Sequence, residues 1–321
     1  MSEQNLSFSV SLFPYDRWGG LPAIAQAAKL AEQLGYDSLC FPDHVIMPIR
    51  PDIPPVSTVW YDNFVLASHL ATITENIRFI FNVMVVPYRP PVQLAKMIST
   101  LDVVSGGRLT LGIGAGWLKG EFKTLGIPFE ERGAMTDDYL RAMKALWTEQ
   151  RPQYEGKYTQ FSNIAFEPKC VQNPHVPLWI GGSGKGPLRR AVELGDGWTP
   201  MVGSLDELKR DAGIIRERLE EKGRDPSTYT FAFGVAFGEL DSEIDRARSH
   251  AADSDQSRKK APQSPDEIAD RINSYREIGF THINISFGWE TPADYMKQAE
   301  WFAEKVMPQF KGSVSNKRIT G

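Results

Sequence analysis

The sequence predicts an α/β chain folded as a (β/α)8 TIM barrel with loop insertions, and three observations carry that reading. Eight short apolar runs alternate with segments of helical period along 321 residues, about the length such a barrel occupies in one piece. Several runs, IRFIFNVMVV from Ile77 to Val86 above all, are apolar almost without interruption, as parallel strands covered on both faces are. Glycine-rich and charged sequences gather directly after the runs, at the strand ends where a barrel of this kind keeps its chemistry. An open doubly wound sheet is the competing arrangement. Eight units without a linker, and no dinucleotide site in the first two, favour closure.

Taken in order, Leu6 to Phe13 reads as the first strand, and Ile24, Ala27, Ala28, Ala31 and Leu34 share the face of a helix that Gly35 stops. Asp37 to Pro42 is the second strand. A proline-rich loop from Asp43 to Val59 and a helix from about Tyr61 to Thr74 follow it. After the third strand, Arg89-Pro90-Pro91 opens a helix with Leu94, Met97, Ile98 and Leu101 on one face, and Gly106-Gly107 supplies its left-handed cap. Leu109, Leu111 and Ile113 mark the fourth strand. Gly114 to Gly133 reads as a loop, with a helix from about Thr136 carrying Leu140, Met143, Leu146 and Trp147.

Gln153 to Lys169 is an excursion of short extended pieces with a turn at Glu155-Gly156. Val176 to Ile180, Gly197 to Pro200, Tyr229 to Phe237 and Thr281 to Phe287 complete the strands. Ser204 with Glu207, Ser264 with Glu267 and Thr291 with Asp294 are capping boxes that start three of the later helices. His250 to Gln263 is polar, either a lid or a solvated linker. The expected organisation is one domain over 1–312 and a polar tail over 313–321.

A net charge of −4 with a pI of about 5.8 leaves no electrostatic footprint for nucleic acid or an anionic membrane, so the expected partner is a small-molecule substrate. The two cysteines, Cys40 and Cys170, have no ligand spacing, and no HExxH or HxH pattern follows a strand, so no metal site is expected. With no signal-like N-terminus and no membrane-length run, a cytoplasmic protein is expected.

Four strand ends stand out for chemistry: Asp43-His44, Asn82 to Arg89, Gly112 to Trp117 and Gly181 to Gly184. His44 reads either as a proton-transfer group that Asp43 orients, or as a histidine packed in a loop. Gly112, Gly114 and Gly116 before Trp117, and Gly181-Gly182-Ser183-Gly184 before a helix, offer backbone N–H groups to a phosphate; a plain tight turn is the alternative. Lys185, Arg189 and Arg190 either add charge there or form the solvated face of a helix. Trp18, Trp60, Tyr61, Trp117, Tyr158 and Trp198 lie in or near rim loops, where they either wall a planar ligand or pack.

Four stretches carry a family resemblance: FPDHV at Phe41 to Val45, LAKMISTLDVVSGGRLTLGIGAGW at Leu94 to Trp117, FEERGAMTDDYLRAMKALW at Phe129 to Trp147, and PLWIGGSGKGPLRRAVELGDGWTP at Pro177 to Pro200. Through them the chain resembles the bacterial luciferase-like superfamily and, within it, the luciferase-like F420-dependent oxidoreductases. The resemblance implies a luciferase-like barrel, a homodimer, and a flavin or deazaflavin in the mouth with its phosphate near the two glycine loops. It places Asp43 and His44 beside the reactive ring, and a non-proline cis peptide at Val83-Met84 as a backstop for it.

The single Asp43-His44 pair looks more like the coenzyme F420 group, which transfers a hydride between cofactor and a small organic substrate. The alternative is an FMN-dependent monooxygenase that takes reduced FMN from a separate flavin reductase and consumes oxygen. The alternative of another class is a barrel that binds a ligand without catalysis.

Overall fold

The computed structural model describes residues 5–49, 57–237 and 264–311, so the expected lid or linker from His250 to Gln263 and the tail over 313–321 lie outside the described residues. Eight parallel strands close into a barrel: β1 (Ser7–Ser11), β2 (Ser38–Phe41), β3 (Arg78–Val85), β4 (Leu109–Gly114), β7 (Leu178–Gly181), β8 (Gly197–Thr199), β9 (Thr230–Phe237) and β10 (His282–Phe287). Around the ring, β1, β2, β3, β4, β7, β8, β9 and β10 are neighbours in that order, and closure comes from β10 pairing with β1, Ser7 opposite His282. The expected excursion is a hairpin outside the barrel, β5 (Tyr154–Glu155) against β6 (Gln160–Phe161), turned from Gly156 to Thr159.

Alternation decides what each strand shows to each side. Phe8 and Val10, Leu39 and Phe41, Leu109, Leu111 and Ile113, and Phe231, Phe233 and Val235 all join the large core between strands and helices. The intervening positions are mostly small or polar, and their side chains bond one another: Ser9 donates to Asn284, Asn284 to Cys40, and Thr199 to Asn82. A small separate cluster of Ile80, Trp179 and Ala232 plugs the lumen.

The helices are α1 (Leu21–Gln33), α2 (Asn63–Ala71), α3 (Pro91–Val104), α4 (Lys119–Leu125), α5 (Arg132–Thr148), α6 (Lys185–Leu194), α7 (Leu205–Glu221), α8 (Pro265–Glu277) and α9 (Pro292–Lys305). All three expected capping boxes form, before α7, α8 and α9. Gly106 and Gly107 both take positive φ after α3, where Gly107 N–H closes back on Asp102 O. One reading is corrected: Gly114 to Gly133 is not simply a loop, because it contains α4, and α5 begins at Arg132 instead of near Thr136. Among the described residues, no helix is long and apolar enough to cross a membrane.

Candidate active site

The mouth begins where β2 ends. Asp43 is buried, and both of its oxygens are engaged: Oδ2 accepts from Val85 N–H and Arg89 Nη1, each at 2.9 Å, and Oδ1 accepts from Arg89 Nη2 at 3.0 Å. Arg89 also reaches Asp62, the N-cap of α2, at 3.3 Å. Asp43 therefore ties the ends of β2 and β3 to α2. This corrects its expected role as the group that orients His44.

The carboxylate that faces His44 is Glu121 on α4, 77 residues further along, with Oε2 at 2.8 Å from Nδ1. The Glu121 side chain is fully buried, with Oε2 also accepting from Tyr88 Oη at 2.5 Å, and Oε1 from the backbone N–H of Val45 at 2.6 Å and of Ile46 at 3.1 Å. Burial alone pushes its pKa up; the bonds from His44 and Tyr88, the His44 charge and the Val45 N–H outweigh that and hold the carboxyl below its usual range. An ionised carboxylate only accepts, so His44 Nδ1 carries the hydrogen. Nε2 is then the nitrogen left for a ligand, with no hydrogen-bond partner among the described residues. Burial and then Glu121 raise the Tyr88 phenol, which keeps it a donor.

Aromatic rings flank that imidazole. Trp60 meets it edge-on at 4.6 Å and Trp117, 59% exposed, at 6.2 Å; behind them Trp60 stacks on Phe13 and Tyr61 meets Tyr15. Three of the rings expected on the rim belong elsewhere. Trp18 is buried against Trp289 and Tyr295, Trp198 packs on Phe231 and Phe280, and Tyr158 bonds Glu131 beside the hairpin.

The first glycine loop is filled by protein. A side chain at Gly112 would meet Phe81 O at 2.5 Å, one at Gly114 Val83 Cγ2 at 2.6 Å, and one at Gly116 the Phe122 ring at 2.6 Å. At Gly181 it would meet Val83 Cγ1 at 2.8 Å. The register between β3 and β4 shifts between Phe81 and Met84, so Asn82 and Val83 form a bulge that seats Val83 between Gly114 and Gly181. These four positions need glycine because the bulge and α4 leave no room for a side chain there. The non-proline cis peptide is Asn82-Val83, one residue before the expected Val83-Met84. Met84, the next residue, is 1% exposed and its side chain packs in the core.

The bulge yields a prediction. Gly114→Ala should destabilise the fold by about 1–3 kcal/mol through overpacking on Val83, and Val83→Ala should relieve much of it, giving a coupling of about 1 kcal/mol in a double-mutant denaturation cycle. Gly112→Ala faces a backbone carbonyl instead, so the same Val83→Ala should leave its cost unrelieved. Independent, additive effects of Gly114→Ala and Val83→Ala would sink this account.

The second glycine loop is different. Gly184 has a φ of 87° with nothing within 4 Å of a would-be side chain, and it precedes α6 without a side-chain cap. Ser183, Gly184 and Lys185 are exposed there, whereas Gly182 packs on Pro187 and accepts at its carbonyl from Trp198 Nε1. Arg189 and Arg190 both bind Asp137 of α5.

The fold is thus a closed (β/α)8 barrel that carries a Glu121-held imidazole at its rim and the open N-terminus of α6. The chain belongs to the luciferase-like monooxygenase family, whose model matches residues 10–259. An uncharacterized protein of Mycobacterium tuberculosis (strain ATCC 25618 / H37Rv) is 33% identical over 246 residues, 72% of this chain and 84% of the relative. An FMNH(2)-dependent dimethylsulfone monooxygenase of Pseudomonas putida is 26% identical over 212 residues, covering 65% of this chain and 56% of that protein. The structure of a coenzyme F420 dependent tetrahydromethanopterin reductase from Methanopyrus kandleri superposes with a TM-score of 0.74 at 20% identity, covering 96% of this chain and 100% of that one.

Proposed function

We propose that this chain is an oxidoreductase that binds coenzyme F420 and moves a hydride between it and a small organic substrate, while His44 gives or takes the matching proton at Nε2. The observation that carries the reading is the Glu121–His44 pair, which fixes one ring nitrogen and leaves the other facing the rim beside Trp60 and Trp117.

The residues present fit such a cofactor. Gly184 and the uncapped first turn of α6 offer exposed N–H groups to a phosphate, and Lys185 adds a positive charge. Trp60 and Trp117 offer aromatic surface to planar groups beside His44. A bound deazaflavin supplies two-electron hydride chemistry. The chain's own part is to hold the phosphate, shield the rim with aromatic surface, and transfer a proton at His44 Nε2, with the ring held in place by Glu121 at Nδ1.

The second reading is a monooxygenase that takes reduced FMN from a separate reductase, supported by the relative of that type from Pseudomonas putida. Titration of the purified protein with F420 and with FMN, followed by tryptophan fluorescence, separates the two. Tight F420 binding with weak FMN binding is the expected result. A preference for FMN, with substrate-dependent oxygen consumption, would replace the first reading by the second, and binding of neither would leave a non-catalytic barrel. A homodimer, a single domain over 1–312 and a cytoplasmic setting belong to the same proposal; exposed Val65, Val103 and Val104 on α2 and α3 support the homodimer.

A further inference from the structure

We propose that the end of the barrel opposite His44 is a second binding site, one that takes a small oxyanion, a phosphate or sulfate group. A cavity of about 270 Å³ opens there, lined by the first residues of β1, β2, β3, β9 and β10, whereas His44 follows the far end of β2. Ile80 and Trp179 line it and, with Ala232, plug the lumen between the two ends.

Three observations select an anion. Five of the ten lining residues carry hydroxyls, Ser38 and Thr110 among them, and none is acidic. The lining cation, Arg78, donates to neutral acceptors: the carbonyls of Gly107 and Leu109 at 3.1 Å, Thr110 Oγ1 at 3.3 Å and Gln172 Oε1 at 2.9 Å. Among the described residues no carboxylate lies within ion-pair distance of it; Asp102 acts on it only at one remove, through Gln172, whose amide donates to Asp102 Oδ1 at 2.7 Å. The third is Ser38 itself. It lines the cavity at 1% exposure, and its Oγ has no hydrogen-bond partner among the described residues.

A buried hydroxyl without a partner is a donor left unmet, at a cost that a guest oxygen admitted to the cavity removes. Next to a half-buried guanidinium, an anionic oxygen satisfies both groups at once, since hydrogen bonds to charged acceptors are the stronger kind. His282 completes the wall as a neutral ring, because burial pushes its pKa down to about 4, and its Nε2 bonds Ser9 Oγ at 3.0 Å. The proposal does not rest on the cofactor reading, because none of these residues belongs to the mouth.

The test is a titration of the full chain with inorganic phosphate and with sulfate at constant ionic strength, read by calorimetry and by the thermal midpoint. Saturable binding is expected, and Ser38→Ala and Arg78→Gln should each weaken it at least about tenfold. Ser38→Ala is the safer variant, since it removes a hydroxyl with no partner and should leave the ligand-free midpoint unchanged or raised. Phosphate binding that survives both substitutions undiminished belongs to the mouth and overturns the proposal. So does the absence of any response beyond that to chloride, which would mean a cavity that holds water only.

Discussion

Replacing His44 with alanine should lower the rate of proton-coupled hydride transfer by about 10²–10⁴-fold, the span that a positioned general acid or base supplies. Cofactor affinity should hold, because the phosphate contacts are expected at Gly184 and α6, across the mouth from β2. The measurement is single-turnover reaction of the loaded enzyme with substrate, paired with a cofactor titration of the same variant. Added imidazole should restore part of the rate, since the truncated side chain leaves a slot beside Trp60 with Glu121 still facing it. Unchanged turnover with intact binding would remove His44 from the chemistry, and the Glu121 contact would then serve only to fasten the loop after β2.

The barrel was legible because strand and helix periods are local properties of the chain. Phe8, Leu39, Leu111 and Phe233 alternate with small or polar residues, and three of the later helices start at capping boxes written in the sequence. The site was legible only in part, because its geometry depends on residues brought together by closure. His44 was visible as a histidine at a strand end. Its partner was not: Glu121 lies 77 residues away, in KGEFKTL, whose glycine and few apolar positions hide a short helix.

Asp43 drew attention by adjacency in sequence, yet neighbours on an extended chain project in opposite directions, and Arg89 engages Asp43 instead. The glycines are a related case. They do signal close approach, but the approaching body at Gly112, Gly114 and Gly181 is the bulge of β3. A bulge adds one residue without changing the apolar pattern around it, which is also why the cis bond falls one position earlier than expected.

Glu121→Gln should cost both activity and stability, and the donor count explains why. The carboxylate receives four donors: His44 Nδ1 and Tyr88 Oη on one oxygen, and the N–H groups of Val45 and Ile46 on the other. An amide presents one oxygen and one NH2 group, so whichever way it turns, two donors face a donor. Orphaning buried polar groups in this way should destabilise the fold by about 2–4 kcal/mol. If the NH2 faces His44, the ring meets it with an unprotonated Nδ1 and shifts its hydrogen to Nε2, which reverses the role that nitrogen plays toward substrate.

The pH dependence distinguishes an ionised acceptor from a group that merely packs. Because the folded state holds the Glu121 carboxyl below its ordinary value of 4.5, the stabilisation is fully present above that pH and is lost as the pH falls toward the folded pKa. The gap in thermal midpoint between the natural chain and Glu121→Gln should therefore be widest near neutrality and narrow in acid below about pH 4.5. A gap that stays constant across that range would show that the charge on Glu121 does not hold His44, and the orientation of Nε2 would need another cause.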